Sequence, residues 1–205
     1  LFKNNGSQSW TNTSVTTAEA FPTSIFVIDL DQDGDNDFLC TSLSSNDESV
    51  YWYDNGQNNG SESFERTLVA TSIRGGRMVK AADIDKDGDI DVVTVSDTDD
   101  DVAWHENNGS QSFTEHIISS GALDYAYCVD IVDLDQDGDM DILTGSYSGQ
   151  GGTVWYRNNG SQSFTQVTIS GTGVTDIESA DMDHDGDVDI VVGDGGTNIY
   201  WFEND

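Results

Sequence analysis

One nine-residue motif, D-x-D-x-D-G-D-x-D, occurs four times and constrains the fold of this chain more than any other feature. The copies begin at Asp29, Asp83, Asp133 and Asp181, which gives spacings of 54, 50 and 48 residues. A repeat period near 50 residues is typical of propellers and solenoids, in which each repeat is one supersecondary unit. The sequence therefore predicts four equivalent units, each with one acidic loop.

The motif predicts a loop that binds a hard divalent cation. Carboxylates at positions 1, 3 and 5 of a tight loop converge and repel one another, and a calcium ion removes that repulsion because it tolerates six to eight oxygen ligands. Glycine at position 6 allows a backbone angle that turns the carbonyl of position 7 towards the ion. The carboxylate at position 9 would complete the shell. Magnesium is the weaker candidate, because it needs near-octahedral geometry. A solvated acidic turn without metal is the alternative, and four identical copies disfavour it.

A second signature shares the same period. It consists of a tryptophan, an Asn-Gly turn and an aromatic residue, as in Trp104, Asn108-Gly109 and Phe113. Asn-Gly favours a hairpin turn because both positions tolerate positive φ. The chain begins and ends inside this signature, at Leu1 and at Trp201. The tryptophans are predicted to pack between neighbouring units, with sugar stacking as the alternative.

Each repeat is predicted to form four strands. Short runs rich in Val and Ile enter and leave the acidic loop, the third strand carries the tryptophan, and the fourth follows the Asn-Gly turn. No segment shows a helical period. The chain opens with a fourth strand and closes with a third, so the N-terminus is expected to supply the outer strand of the last blade and close a ring without a free edge.

The predicted fold is an all-β propeller with four blades of four antiparallel strands, in one domain over residues 1–205. The repeats are expected at about 16–70, 71–119, 120–170 and 171–205 plus 1–15. A four-blade segment of a larger propeller, and one propeller shared between several chains, remain open alternatives.

The charge composition excludes several classes of partner. There are 39 acidic and 7 basic residues, a net charge of -32, and twenty of the acids lie in the four motifs. Such a field repels nucleic acid and anionic membranes, and no run approaches the roughly 18 apolar residues of a membrane span. The 35% of hydrophobic residues argues against disorder. No secretory leader is visible at Leu1, so a secreted protein would be expected to be a processed chain.

The acidic motif, followed by a Val/Ile/Leu strand at this period, resembles FG-GAP-like repeats, also called VCBS-type repeats. These are calcium-binding blades of integrin α-subunit propellers and of many secreted bacterial proteins. The resemblance covers essentially the whole chain and implies four calcium sites, each with four carboxylates and one main-chain carbonyl. The carboxylate ligands would be Asp29, Asp31, Asp33 and Asp37; Asp83, Asp85, Asp87 and Asp91; Asp133, Asp135, Asp137 and Asp141; and Asp181, Asp183, Asp185 and Asp189. The carbonyl ligands would be Asp35, Asp89, Asp139 and Asp187.

The chain also departs from that family. The Phe-Gly and Gly-Ala-Pro phrases are absent, and only Gly145 and Gly193 remain near the second of them. The family's propellers usually have seven blades, whereas this chain supplies four motifs.

The predicted function is a non-catalytic extracellular module for adhesion or assembly, stabilised by calcium. Its protein or glycan ligand is expected on the blade-end loops, which differ between repeats: residues 42–49, 96–101, 146–152 and 194–197. A carbohydrate-binding, lectin-type propeller is the alternative, and an accessory domain of a secreted hydrolase is less favoured.

No pattern in the sequence points to an enzyme. His105, His116 and His184 have no second His or Cys at transition-metal spacing. There is no nucleophile elbow and no phosphate-binding glycine loop.

Three further features allow two interpretations each. The stretch containing Arg66, Arg74, Arg77, Lys80 and Lys86 could dock on an acidic neighbouring copy and build a homo-oligomer or filament, or it could balance local charge. The cysteines Cys40 and Cys128 are predicted to be buried thiols, with a disulfide as the alternative. Glycosylation sequons that hairpin chemistry also explains occur at Asn5, Asn59, Asn108 and Asn159, and a further sequon occurs at Asn12.

Overall fold

The computed structural model describes residues 2–4, 6, 10–12, 14–15, 21–43, 48–56, 64–71, 73–148 and 151–204, with the backbone alone at 2–4, 10 and 11. All regular secondary structure in these residues is β-strand, which confirms the all-β prediction. The described residues contain no helix long and apolar enough to cross a membrane.

The strands form antiparallel sheets whose spatial order follows the chain. The first sheet contains β3 (Pro22–Ile28), β4 (Asp37–Ser42), β5 (Ser49–Asn55) and β6 (Phe64–Thr71). The second contains β7 (Gly76–Ala82), β8 (Asp91–Ser96), β9 (Asp101–Asn107) and β10 (Phe113–Ser120). The third contains β11 (Ala126–Val132), β12 (Asp141–Ser146), β13 (Thr153–Asn158) and β14 (Phe164–Ser170). The fourth contains β15 (Asp176–Ala180), β16 (Asp189–Gly193) and β17 (Ile199–Phe202).

The sheets lie side by side as four successive blades. The first strand of each sheet contacts the first strand of the next, so β3, β7, β11 and β15 form one inner row. Each acidic loop connects the first and second strands of its blade. The four predicted blades are therefore confirmed, and all four loops occupy equivalent places.

The core lies between the blades, because both faces of an inner blade are covered. Every residue of β8 and β12 is buried, whereas the outer strand β10 has an exposed face. Between the second and third blades, Trp104 packs with Val129 and Tyr156 in one cluster. Trp52 and Trp155 occupy the same place at the other two interfaces, as predicted. Trp201 differs, because half of it is exposed.

The N-terminal strands do not pair as predicted. β1 (Phe2–Asn4) pairs with β2 (Trp10–Asn12) in a separate two-stranded sheet, and β17 has β16 as its one partner within the described residues. The pair Asn4↔Trp10 repeats the register of Asn107↔Phe113. The N-terminal segment thus forms the local hairpin that its Asn-Gly signature encodes, and local pairing avoids the entropic cost of closing a long loop.

Both cysteines are buried free thiols, which confirms the preferred prediction. Burial raises the pKa of Cys128 to about 12, so this thiol stays protonated at neutral pH and is a poor nucleophile.

Candidate metal-binding loops and an inter-blade cleft

The acidic loops are folded by their own carboxylates. In the second loop, Asp83 Oδ2 accepts a hydrogen bond from Gly88 N at 3.1 Å, and Asp85 Oδ1 accepts one from Asp87 N at 3.1 Å. Gly88 has a φ of 99°, which other residues resist. The first loop repeats both bonds, the third repeats the bond from its glycine, and the fourth repeats the bond between positions 5 and 3. The glycine at position 6 has positive φ in all four loops. The predicted tight loop with glycine at position 6 is therefore present in every blade.

The remaining carboxylate oxygens converge in each loop. Within each of four groups, one ligand oxygen per residue lies within 4.8 Å of the others. These groups are Asp29, Asp31 and Asp33; Asp83, Asp85 and Asp91; Asp133, Asp135 and Asp141; and Asp181, Asp183 and Asp185. The structure thus brings together positions 1 and 3 of every loop, with position 5 in the first and fourth loops and position 9 in the second and third.

One oxygen of each loop has no partner for its lone pairs. The Oδ1 atom of the first aspartate is buried and accepts no hydrogen bond from the described residues, in all four loops: Asp29, Asp83, Asp133 and Asp181. A buried carboxylate oxygen without a partner is costly. A donor set made only of oxygen fits calcium or magnesium and does not fit softer metals. The residues present therefore fit an oxygen-liganded divalent cation.

The aspartate at position 9 also organises its loop. Asp91 accepts hydrogen bonds from Ile84 N at 3.0 Å and Asn107 N at 2.8 Å. Burial raises the pKa of Asp91 to about 6, and these amides oppose the rise. Burial likewise raises the pKa of Asp141 to about 6. In the fourth loop the pKa of Asp189 is lowered, chiefly by the Asn204 amide. The position 9 carboxylate therefore ties the loop to the third strand of its blade.

Burial also raises the pKa of the aspartate at position 3 in three loops, namely Asp31, Asp85 and Asp183, and neighbouring carboxylates add to the rise. A bound cation would oppose both effects because it favours the ionised form.

The loops contact one another through position 4. Gln32 Nε2 donates to Gly88 O at 2.5 Å, and Gln136 Nε2 donates to Gly186 O at 2.6 Å. Between these two, Lys86 Nζ forms an ion pair with Asp139. In each case a residue at position 4 of one loop reaches position 6 or 7 of the next loop. We call this the position-4 contact. It was not predicted, because position 4 differs between copies of the motif.

The position 7 aspartates were predicted to supply carbonyl ligands, and their side chains have other partners. Asp139 pairs with Lys86, and Asp187 Oδ1 accepts from Gln136 Nε2 at 3.1 Å. The carbonyl role of Asp35, Asp89, Asp139 and Asp187 stays a prediction.

A cleft of about 340 Å³ lies between the second and third blades. Trp104, Glu106 and His116 line it from one blade, and Gln162 and Phe164 from the other. His116 Nε2 lies 2.7 Å from Glu106 Oε2, and its ring stacks on Trp104 with centroids 4.6 Å apart. Asp85 of the second acidic loop also borders the cleft. No local sequence pattern indicates this site, because its residues come from two repeats and lie on three strands and two loops.

The basic stretch is engaged within the chain. Arg74 pairs with Asp99 at 3.4 Å, Arg77 with Asp97, and Lys80 with Asp130 at 3.4 Å. Lys86 makes the position-4 contact, and the guanidinium of Arg66 lies 4.2 Å above the Tyr51 ring. These contacts favour local charge balance over docking on a neighbouring copy.

The Asn-Gly turns have the predicted positive φ, 75° at Gly109 and 72° at Gly160. The side chain of Asn108 accepts hydrogen bonds from Ser110 N and Ser112 N, and Asn159 does the same in the next blade. Hairpin chemistry thus accounts for both residues. Asn5, Asn59 and parts of two predicted ligand loops, residues 44–47 and 149–150, lie outside the described residues.

A family model for the FG-GAP-like repeat matches this chain three times in succession, at residues 29–94, 83–144 and 133–192. The fold and the four loops define a β-propeller built from acidic-loop repeats. The chain belongs to the FG-GAP-like repeat family.

A solved structure of a lectin from Agrocybe aegerita, described as recognising non-reducing terminal N-acetylglucosamine, has a similar fold. It is 18% identical, with a TM-score of 0.58, and the match covers 93% of this chain and 54% of the lectin. This chain thus spans about half the length of that protein. A search of curated proteins finds no match.

Proposed function

We propose that this chain is a non-catalytic, extracellular β-propeller module for adhesion or assembly, and that four calcium ions stabilise it. The observation that carries the proposal is the buried Oδ1 of the first aspartate, which lacks a partner at the same place in all four loops. A structural ion explains why one costly feature is repeated four times.

Calcium would act by favouring the folded state. The carboxylates at positions 1, 3, 5 and 9 would hold the ion, with the carbonyl at position 7. The ion would supply positive charge among acids that otherwise repel one another, so its binding free energy adds to the stability of the fold. The loop carboxylates are assigned to this structural role, and none is assigned to catalysis.

Calorimetric titration of the chelated protein with calcium, together with thermal melting, tests this role. Four bound ions and a melting temperature that rises with calcium are expected. A melting temperature indifferent to chelation would contradict the proposal.

Glycan binding is the second candidate, and the inter-blade cleft favours it. The cleft offers a carboxylate, an imidazole and an amide beside apolar walls. A small number of placed polar groups in an otherwise apolar pocket is typical of small-ligand sites. The similarity in fold to a lectin is consistent with this candidate.

A glycan array in calcium, followed by titration of any hit, tests this candidate. His116→Ala should weaken binding at least tenfold, because it removes both the imidazole and the partner of Glu106. The matched control is Tyr125→Ala, an exposed aromatic residue outside the cleft and outside the predicted ligand loops. Absence of any glycan hit, or equal binding by both variants, would remove the cleft as a sugar site.

A further inference from the structure

Two faces at opposite sides of the blade row expose apolar side chains whose equivalents inside the row are buried or half-buried. The start face, on the first blade, consists of Ile25 and Val27, which are 64% and 61% exposed. The end face, on the fourth blade, consists of Met182, Ile199 and Trp201, which are 51%, 80% and 49% exposed.

The repeats show what covers the start face in other blades. Val79, Val129 and Ile177 stand where Ile25 stands in the repeat, and each is at most 1% exposed. Each of them packs in the cluster shared with the preceding blade. The start face therefore has the composition of a blade–blade interface.

The end face has the matching composition. Leu30, Ile84 and Leu134 stand where Met182 stands in the repeat, and all three are buried against the following blade. Trp52 and Trp104 stand where Trp201 stands, and they are 5% and 3% exposed. Exposure of such a patch marks an interaction surface. Inside this chain, the equivalent residues of one blade are covered by the first strand of the following blade.

The position-4 contact gives independent evidence that each blade is built to contact the next one in the same direction. Three loops donate to the next loop through Gln32, Lys86 and Gln136. His184 holds this position in the fourth loop and makes no hydrogen bond within the described residues. Conversely, no position 4 side chain among the described residues reaches Gly34 or Asp35 of the first loop. Within the described residues, His184 at one end of the blade row therefore has no partner loop, and Gly34 and Asp35 at the other end receive no position-4 side chain.

We propose that a second copy of this chain binds head to tail, with its start face on the end face of the first copy. This inference deepens the proposed assembly role by naming its partner and surface. The contact is heterologous, and such contacts produce closed rings or open filaments according to whether the rotation closes. The lectin of similar fold is about twice as long as this chain, so two copies joined head to tail match its length.

The strand order shows how the fourth blade of one copy would be completed by the second copy. β17 has one free edge among the described residues, and β1 occupies in the N-terminal hairpin the place of β5, β9 and β13 in their blades. In the complex, β17 takes the place of β1 and pairs with β2 of the second copy. The joined blade then has four strands, like the first three.

The test uses two variants that each block one face. The first is Ile25→Glu with Val27→Glu, and the second is Met182→Gln with Ile199→Glu. The matched controls are Leu68→Glu and Ile117→Glu, because these residues are exposed on the outer strands of the first and second blades and belong to neither face. Sedimentation velocity is measured in calcium at about 100 μM protein, a concentration that detects micromolar dimers.

The wild type and both controls should sediment as dimers or larger species, and each blocked variant alone should be monomeric. An equimolar mixture of the two blocked variants should restore a one-to-one dimer, because it leaves one intact face on each chain. His184→Ala should weaken association about fivefold, the effect of one lost hydrogen bond.

Three results would overturn the proposal. They are a monomeric wild type, self-association of either blocked variant, and a mixture without heterodimer. A monomer whose β2 amides are protected from exchange by β17 would point instead to closure within one chain. If a Glu variant fails to melt cooperatively, Ile25→Ser with Val27→Ser replaces it. Calcium stoichiometry and melting of the monomeric variants report on the proposed function separately.

Discussion

The side-chain amide of Asn158 donates to the main-chain carbonyl of Ile84, 74 residues earlier, at 3.2 Å. The same amide donates to Met140 O at 3.1 Å in its own blade. One side chain therefore fastens the acidic loop of the second blade to that of the third. Asn204 makes the corresponding bonds to Leu134 O and Val188 O one blade further on.

Asn158→Ala should destabilise the fold by about 2–3 kcal/mol, because it removes these bonds and leaves a buried carbonyl without a donor. Asn107→Ala is the comparison variant. Its side chain also makes three hydrogen bonds, to Ile90 O and from Gly109 N and Gln111 N, and all lie within one blade, whereas Asn158 bonds Ile84 O, Met140 O and Gly160 N. Asn107→Ala should therefore cost less, because it leaves no carbonyl of a neighbouring blade without a donor. Denaturant unfolding in calcium measures both. Equal losses would show that the link between blades contributes little.

Gly145→Ala should destabilise the protein by about 1–3 kcal/mol, the usual cost of overpacking. A Cβ at Gly145 would lie 2.0 Å from Val174 Cγ2 and 2.6 Å from Cys128 Sγ. Gly193 holds the same place in the fourth blade and has nothing within 4 Å, so Gly193→Ala should change stability by less than about 0.5 kcal/mol. Thermal melting compares the stability of the two variants. A melting temperature of Gly145→Ala equal to that of wild type would contradict the close packing around Gly145.

Asp83→Asn should remove one calcium ion from the four expected and lower the melting temperature. A site filled at a hundred times its dissociation constant contributes about 2.7 kcal/mol, and this variant weakens the ligand whose Oδ1 has no other partner. The control Glu115→Gln removes an equal charge from an exposed position outside the loops. Titration calorimetry counts the ions, and four ions in Asp83→Asn would show that this oxygen is not a ligand.

The contribution of His105 to the stability should fall as pH falls from about 6.5 to about 4. This imidazole is buried, its Nε2 lies 3.0 Å from Thr94 Oγ1, and burial lowers its pKa to about 4. The unfolded chain binds the proton near pH 6.5, so in this window the unfolded state gains protons and is favoured. The largest contribution is about 3 kcal/mol.

His105→Gln tests that contribution. Its unfolding free energy should be lower than wild type at pH 7, and the difference should shrink towards pH 4. Both proteins are compared in excess calcium, so that titration of the acidic loops is common to them. Parallel stability curves would assign the pH dependence to other groups.

Local features were predictable from the sequence, and contacts between repeats were not. The tight turn around Gly88 follows from short-range chemistry, as do the strands beside it and the hairpin at Gly109. The position-4 contact joins residues 50 or more positions apart, so no local pattern contains it. The cleft at His116 likewise needs two blades in register.

The pairing of the N-terminal strand was also not predictable from local sequence. Its sequence matched a fourth strand, and counting strands suggested that it would complete the last blade. Its pairing with β1 depends on the competition between a local hairpin and a distant edge, which strand counting does not weigh. Trp201 was expected to be covered for the same reason, and it is half exposed.

The position-4 contact also bears on how such proteins change over evolutionary time. Since each of the first three blades contacts its successor through the residue at position 4, an inserted repeat would find an equivalent contact residue on its neighbour. The number of blades can then change by duplication or loss of a repeat, because each blade interacts with its nearest neighbours alone.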